Sequence, residues 1–365
     1  MMMSSFLKLF EFGQSCWMDN LTRGMIHNGD LKRRVEVEGL RGVTSNPSIF
    51  DKAITGSSDY NPQIKVLCAE NKTPAEVCEA LMVTDIRDAC DVLRPVYDKS
   101  DKLDGYVSLE VSPHLAHDTE KSLVAARRLW REVDRPNLMI KIPGTKEGIS
   151  AIETLLYEGI NVNVTLLFSV DRYEEIAYAY LRALERRVKE GKSIKEVASV
   201  ASFFVSRIDV LIDEHLNCKN TPEAKALQGK MAIANAKLAY KAFKEIINSD
   251  RWKAVEAKGA QFQRVLWAST STKNPSYSDV IYVDPLIGPH TVNTMPENTM
   301  AAFADHGVAA NTVEQGMNEA EQTAADIAKL GINFKDVTDQ LEREGVQKFI
   351  DAYEEILTSL KKCGV

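Results

Sequence analysis

The sequence predicts an α/β chain, a closed parallel (β/α)8 barrel of the TIM type, on three observations. Short β-type runs alternate with amphipathic helical stretches eight times along the chain. Most of these runs are apolar on both faces, the signature of strands covered on both sides. No Gly-x-Gly-x-x-Gly turn follows any of them, so the competing open, doubly wound sheet lacks its usual dinucleotide signal. Barrels of this kind run past ~400 residues as one unit. The 365 residues are accordingly read as one domain, 1–365, with the barrel over about residues 14–296 and a helical extension over 297–365.

The elements follow in order. Residues 1–11 read as an opening helix: they lack the arginine-rich, acid-free character of a transit peptide and the small-residue cleavage site of a signal. Residues 14–19 (QSCWMD) form the first strand, ending on an acid, and residues 39–46 (GLRGVTSN) the second, stopped by Asn46-Pro47. At Thr73-Pro74-Ala75-Glu76 a helix begins, with Thr73 as cap, Pro74 at the first helical position and Glu76 closing a capping box. Residues 106–111 (YVSLEV) are the third strand, 118–131 a helix, 138–145 (LMIKIPGT) the fourth strand, and 146–157 the next helix. Residues 161–168 (NVNVTLLF) are the fifth strand. The helix after it carries Val170, Tyr173, Ile176, Ala177, Tyr180, Leu181, Leu184 and Val188 at helical spacing. The sixth strand is 197–204, followed by a largely helical stretch over 208–255 with a break at 217–222. The seventh is 264–270 (RVLWAST) and the eighth 280–286 (VIYVDPL). No strand is expected after His290; helices cover roughly 297–303, 314–328 and 335–360, the last expected to pack across the barrel rim and help close the site.

A net charge of -7 argues against nucleic acid or an anionic membrane as the main partner. It leaves room for a locally positive pocket that takes a small anion. No run approaches the ~18 apolar residues of a membrane span. Cys16, Cys68, Cys78, Cys90, Cys218 and Cys363 form no Cys-x-x-Cys pair; reduced thiols in a cytoplasmic protein are the reading, with no zinc site or disulfide framework implied.

Lys141 stands in the middle of the apolar fourth strand, just before Pro143-Gly144. Burying an unpaired charge is costly, and a lysine so placed tends to lose its proton. A neutral amine is a nucleophile, able to attack a carbonyl and form a Schiff base. An edge strand, or a structural ion pair with a carboxylate, is the plainer alternative. The rest of the chain decides between them, because active sites of such barrels lie at the carboxyl ends of the strands. Asp19, Asn46, Glu110, Lys141, Asn163 with Thr165, Ser202 and Ser269 place a polar residue or pair near the end of seven strands. One amine, two acids and two amides converging on one mouth fit a carbonyl-lysine enzyme. The amine attacks a ketone, one acid helps expel water, and a base removes a hydroxyl proton so that a carbon–carbon bond breaks. Two carboxylates in different surroundings can divide those tasks. Arg207 and Lys273 supply positive charge for a phosphate, and Ser271 a hydroxyl donor.

These residues carry a family resemblance. Gly42-Val43-Thr44-Ser45-Asn46-Pro47, Ser108-Leu109-Glu110-Val111, Ile140-Lys141-Ile142-Pro143-Gly144-Thr145, the run from Gly159 to Ser169, Ala201-Ser202-Phe203-Phe204-Val205-Ser206-Arg207-Ile208-Asp209 and the opening Trp17-Met18-Asp19-Asn20 resemble transaldolase. The length and long tail are similar to the larger subfamily of bacteria and plants. The resemblance implies Lys141 as the Schiff-base lysine and Asp19 as the acid/base on the hydroxyl beside the breaking bond. It implies Glu110 with Thr165 around a proton-shuttling water. Asn46, Asn163 and Ser202 would hold a dihydroxyacetone unit, and Arg207, Ser271 and Lys273 the phosphate. Two positions depart from it: Lys273 stands where many relatives carry arginine, and His114 where they often do.

The His114–His117 spacing superficially suggests a metal pair; no acidic or cysteine ligands accompany it at suitable spacing, and the resemblance implies no metal or cofactor. The expected partners are sugar phosphates, in a monomer or homodimer, and the reaction is transfer of dihydroxyacetone from sedoheptulose 7-phosphate or fructose 6-phosphate to glyceraldehyde 3-phosphate or erythrose 4-phosphate, in the non-oxidative pentose phosphate pathway. Two rivals stand beside it. One is a fructose 6-phosphate aldolase, whose related small branch carries a tyrosine where Phe204 stands. The other is a barrel that binds sugar phosphates without catalysis.

Overall fold

A computed structural model describes residues 5–362; residues 1–4 of the expected opening helix, and Cys363, lie outside the described residues. Eight strands close into a barrel: β1 (Gln14–Met18), β2 (Gly42–Val43), β3 (Tyr106–Glu110), β4 (Leu138–Pro143), β5 (Val162–Leu167), β6 (Ser199–Phe204), β7 (Arg264–Ala268) and β8 (Thr291–Met295). Each is parallel to the next, and β8 returns to pair with β1. No helix among the described residues is long and apolar enough to cross a membrane.

The sheet positions corrects the sequence reading at one strand. Residues 280–286 are not the eighth strand: they form turns and a short 3-10 segment at Asp284–Leu286, and the strand is the polar run Thr291–Met295 that follows. An apolar run alone does not distinguish a strand from a buried loop. Here Tyr282 is drawn off by its hydroxyl, which donates to Asp209 Oδ2 at 2.9 Å, while Pro285 has no N–H for a ladder. β8 reads as a loop because Thr291, Asn293 and Thr294 are polar, yet all its residues are buried. β2 is also shorter than expected, since beyond Val43 the chain turns outward to cap the helix Pro47–Gly56.

The helices follow the local signals. The Thr73–Glu76 capping box forms at the head of the helix Pro74–Lys99, with the Thr73 N–H donating to Glu76 Oε2 at 2.8 Å. The break expected near 217–222 is a left-handed Asn220 followed by a new start, with Thr221 capping and Pro222 in the first turn. The C-terminal helix Phe334–Lys362 buries Val337, Leu341, Val346, Phe349, Ile356 and Leu360. It lies across the mouth of the barrel. Gly345 permits the close approach: a Cβ there would come 2.9 Å from Leu166 and 3.5 Å from Arg207 Nη1.

The amino-terminal end of the barrel is closed by a polar knot. The Arg264 guanidinium donates to Asp104 Oδ1 (2.8 Å), Ser15 Oγ (2.8 Å) and the Leu103 carbonyl (2.7 Å), and Ser15 Oγ donates to Asp104 Oδ2 (2.8 Å). The Asp104 side chain is 0% exposed, so removing its partner strands a buried charge. Arg264→Met is expected to cost about 3–5 kcal/mol, with Asp104→Asn added to it recovering part of the loss. Thermal unfolding of the two variants measures this; an Arg264→Met melting point matching the unaltered chain would mean the knot contributes nothing.

Candidate active site

Lys141 is the fourth residue of β4, and strand register sets its neighbours. Glu110 on β3 pairs with Lys141, and Lys141 with Asn163 on β5. An acid, an amine and an amide therefore form one row across three strands, at the carboxyl end where parallel barrels gather their chemistry. Lys141 is 4% exposed and Glu110 6%. The ammonium donates to the Ser45 carbonyl at 3.0 Å and lies 3.2 Å from Glu110 Oε2. That contact is within ion-pair range but not aligned as a hydrogen bond, and both Glu110 oxygens are left without a hydrogen-bond partner. Burial pushes the Glu110 carboxyl up to about 7, against the pull of Lys141, with Asp19 adding to the rise. The structural ion pair named as the plainer reading of Lys141 is thus present, and it sits beside a cavity. A carboxyl that titrates near neutrality beside an amine can give or take a proton at working pH.

The cavity, of about 310 Å³, is lined by Asp19, Asn46, Lys141, Thr165, Ser202, Phe204, Arg207, Ser269, Ser271 and Lys273 among others. Most of the residues singled out for the site open on it. Glu110 and Asn163 do not. Glu110 lies behind Lys141. Asn163 is fully buried, accepting from Ser202 Oγ (2.7 Å) and donating to Ser108 Oγ (2.9 Å), so it meets the cavity only through Ser202.

Asp19 follows β1 directly, its backbone N–H tied to the Met295 carbonyl of β8 at 2.9 Å. Thr44 Oγ1 donates to Asp19 Oδ1 at 2.7 Å and lies 2.7 Å from Thr294 Oγ1. Burial raises the Asp19 carboxyl above the usual range, while Lys141, the Thr44 bond, Arg207 and Lys273 pull it back. Two carboxyls of different surroundings thus flank one amine.

Thr165 is buried, and among the described residues its hydroxyl has no hydrogen-bond partner. The β5–β6 register shifts between Val164 and Leu167, and Leu166 takes φ 61°. A bulge of this kind re-aims side chains next to active sites. Asn46 accepts the Ile49 N–H at 3.1 Å as helix cap, so part of its polarity serves structure. Phe204 packs on Phe168 (ring centroids 5.2 Å) and under Arg207 (5.2 Å). Burial lowers the Arg207 guanidinium from its ordinary value, and its Nη1 has no partner. Lys273 Nζ donates to Ser271 Oγ. Ser269 Oγ lies 3.0 Å from Ser206 Oγ.

The two histidines do not converge: His114 Nε2 lies 2.7 Å from Glu354 on the C-terminal helix, and His117 Nδ1 3.1 Å from Glu147.

Sequence reasoning missed Thr44, Ser48, Lys52, Thr294 and Phe349, all of which line the cavity. Thr44 lies inside Gly42-Val43-Thr44-Ser45-Asn46-Pro47, so its signal was available. Thr294 was hidden by the misplaced eighth strand. Phe349, whose ring centre lies 5.4 Å from Lys141 Nζ, comes from the C-terminal helix and carries no local mark.

Comparison with known proteins shows the family. The family model described as Transaldolase/Fructose-6-phosphate aldolase matches residues 16–360. A protein of Nostoc sp. named Transaldolase 2 is 50% identical over 372 residues, covering 99% of this chain and 98% of its own. A Trichodesmium erythraeum protein named Transaldolase is 50% identical with the same coverage, and one of Parafrankia sp. with that name is 48% identical over 351 residues, 96% of this chain and 95% of its own. With the family model spanning the barrel and the C-terminal helix, and relatives matching end to end, the chain belongs to the transaldolase/fructose-6-phosphate aldolase family.

Proposed function

We propose that this barrel is a transaldolase that moves a dihydroxyacetone unit from a ketose phosphate, such as fructose 6-phosphate or sedoheptulose 7-phosphate, to an aldose phosphate through an imine on Lys141. The observation that carries the reading is the buried Lys141 amine held between Glu110 and a cavity that also opens on Asp19, Arg207 and Lys273. Free cysteines at positions 16, 68, 78, 90 and 218 fit a reducing cytoplasm.

The proposed steps use these residues in turn. Glu110 takes a proton from the ammonium, and the freed amine attacks the ketone carbon. A water between Glu110 and the unpartnered Thr165 hydroxyl carries protons to the carbinolamine oxygen, which leaves as water. Asp19, held by Thr44, removes the proton from the C4 hydroxyl. The C3–C4 bond then breaks, an aldose phosphate leaves, and its bonding electrons remain on the Lys141-bound three-carbon enamine. The acceptor aldehyde takes up that pair, Asp19 returns its proton to the new hydroxyl, and water releases the longer ketose. Ser202 and Asn46 offer polar groups to the three-carbon unit; Arg207, Ser271 and Lys273 offer charge to the phosphate.

The enamine must stay unprotonated until an acceptor arrives. Phe204 lines the cavity with a ring that cannot donate a proton. Turnover of fructose 6-phosphate is therefore expected to depend on erythrose 4-phosphate, with free dihydroxyacetone released at least about 10-fold more slowly. Phe204→Tyr is expected to raise that release. Fast dihydroxyacetone release without acceptor from the unaltered chain would instead make it an aldolase.

A further inference from the structure

The Pro47–Gly56 helix brings Ser48, Ile49 and Lys52 to the cavity, the spacing of a single helix face. Lys52 stands one turn beyond Ser48, on the rim contributed by β2. Arg207 and Lys273 reach the same cavity from behind β6 and β7, across the barrel in strand order. Lys52 is exposed. Among the described residues it makes no ion pair or hydrogen bond, as is also true of exposed lysines such as Lys65 and Lys146; what sets it apart is its place on the cavity.

Among the described residues, three cations besides Lys141 therefore face one cavity whose lining holds a single carboxylate, Asp19. Asp19 is committed to Thr44 and to proton transfer. Of the acids outside the lining, Asp51 feels both Lys52 and Glu355 of the C-terminal helix, and Glu344 faces Arg207. Burial holds the Lys273 ammonium below its ordinary value, and Arg207 and, less, Lys52 push the same way against the pull of Asp19. Like charges gathered this way lower the stability of the empty site and stabilise a multivalent anion placed among them. Lys273 is moreover a point charge without the two-pronged grip of a guanidinium, which leaves a phosphate with oxygens to spare for a second ammonium.

We propose that Lys52 is a phosphate-recognition residue of this site, closing on the sugar phosphate from the β2 rim opposite Arg207 and setting the preference for phosphorylated over unphosphorylated sugars. This rests on the function proposed above. Its test compares borohydride trapping on Lys141 with fructose 6-phosphate and with dihydroxyacetone, together with inhibition by inorganic phosphate, in the unaltered chain and in Lys52→Ala and Lys52→Arg. A hydrogen bond to a charged group implies an effect of about 10-fold. In Lys52→Ala the KM for fructose 6-phosphate and the inhibition constant of inorganic phosphate should both rise by about that factor, with kcat falling less than KM rises. The ratio of fructose 6-phosphate to dihydroxyacetone trapping should fall in step, and Lys52→Arg should restore most of it. An adduct at Lys141 with phosphate affinity moved less than 2-fold, or trapping of both sugars reduced in parallel, would overturn the proposal alone. No adduct at Lys141 in the unaltered chain would remove the parent reading and this one with it.

Discussion

Lys141→Ala is expected to lower turnover by about 10⁴-fold or more, the scale at which removal of a nucleophile leaves only binding and orientation. No borohydride adduct should form. The fold should persist, because the group left behind can become neutral. With the ammonium gone, Glu110 loses the charge that holds its pKa down and rises further above about 7. A carboxyl whose folded value is raised makes the native state the better proton binder, so stability falls as pH climbs from the unfolded value to the folded one. In the unaltered chain that decline ends near pH 7; in the variant it continues. Melting points of the two proteins should differ by a roughly constant amount below pH 6 and then separate above pH 7, by about 1.4 kcal/mol per pH unit. A variant that does not fold at pH 6, or one that retains turnover, would show that the amine serves structure.

Asp19→Asn is expected to reduce turnover by about 10²–10⁴-fold, the usual contribution of a placed acid/base, while leaving imine formation intact. The amide keeps an oxygen for the Thr44 hydroxyl, which donates at 2.7 Å, so the group's position is retained and only its basicity is lost. The diagnostic is the mass of the adduct. Fructose 6-phosphate and borohydride should label Lys141 of the unaltered chain with a three-carbon unit, since cleavage precedes trapping. In the variant the adduct should carry the whole six-carbon phosphate. A three-carbon label formed at the normal rate in Asp19→Asn would assign the base to another residue, with Glu110 the first to test.

Which side chains meet was legible where strand period and register carry the answer. Glu110, Lys141 and Asn163 each sit near the end of an apolar run, and parallel pairing turns that shared position into one row. Asp19 and Asn46 were legible for the same reason, as polar residues at the point where a strand stops. Residues 280–286 were misread because hydrophobic content there reports burial in a loop, with Tyr282 tied to Asp209, and not membership of the sheet. The true β8 was missed because polar residues stand on both of its faces, Thr294 toward the cavity and Thr291 and Asn293 away from it with Gln14 and Thr270 as partners, which removes the apolar cue.

What the amino-acid order determined by itself is the barrel, the buried amine and the acids at the strand ends, because each is written in a local pattern of period, polarity and turn residues. What only the tertiary structure decided is the placement of side chains around that amine. Glu110 and Asn163 lie behind the cavity wall, Thr44 holds Asp19 with its own hydroxyl beside that of Thr294, and Phe349 arrives from a helix more than 200 residues beyond Lys141. Such contacts depend on barrel closure and on how a terminal helix packs across the mouth, and no local stretch of sequence encodes a distance of that kind.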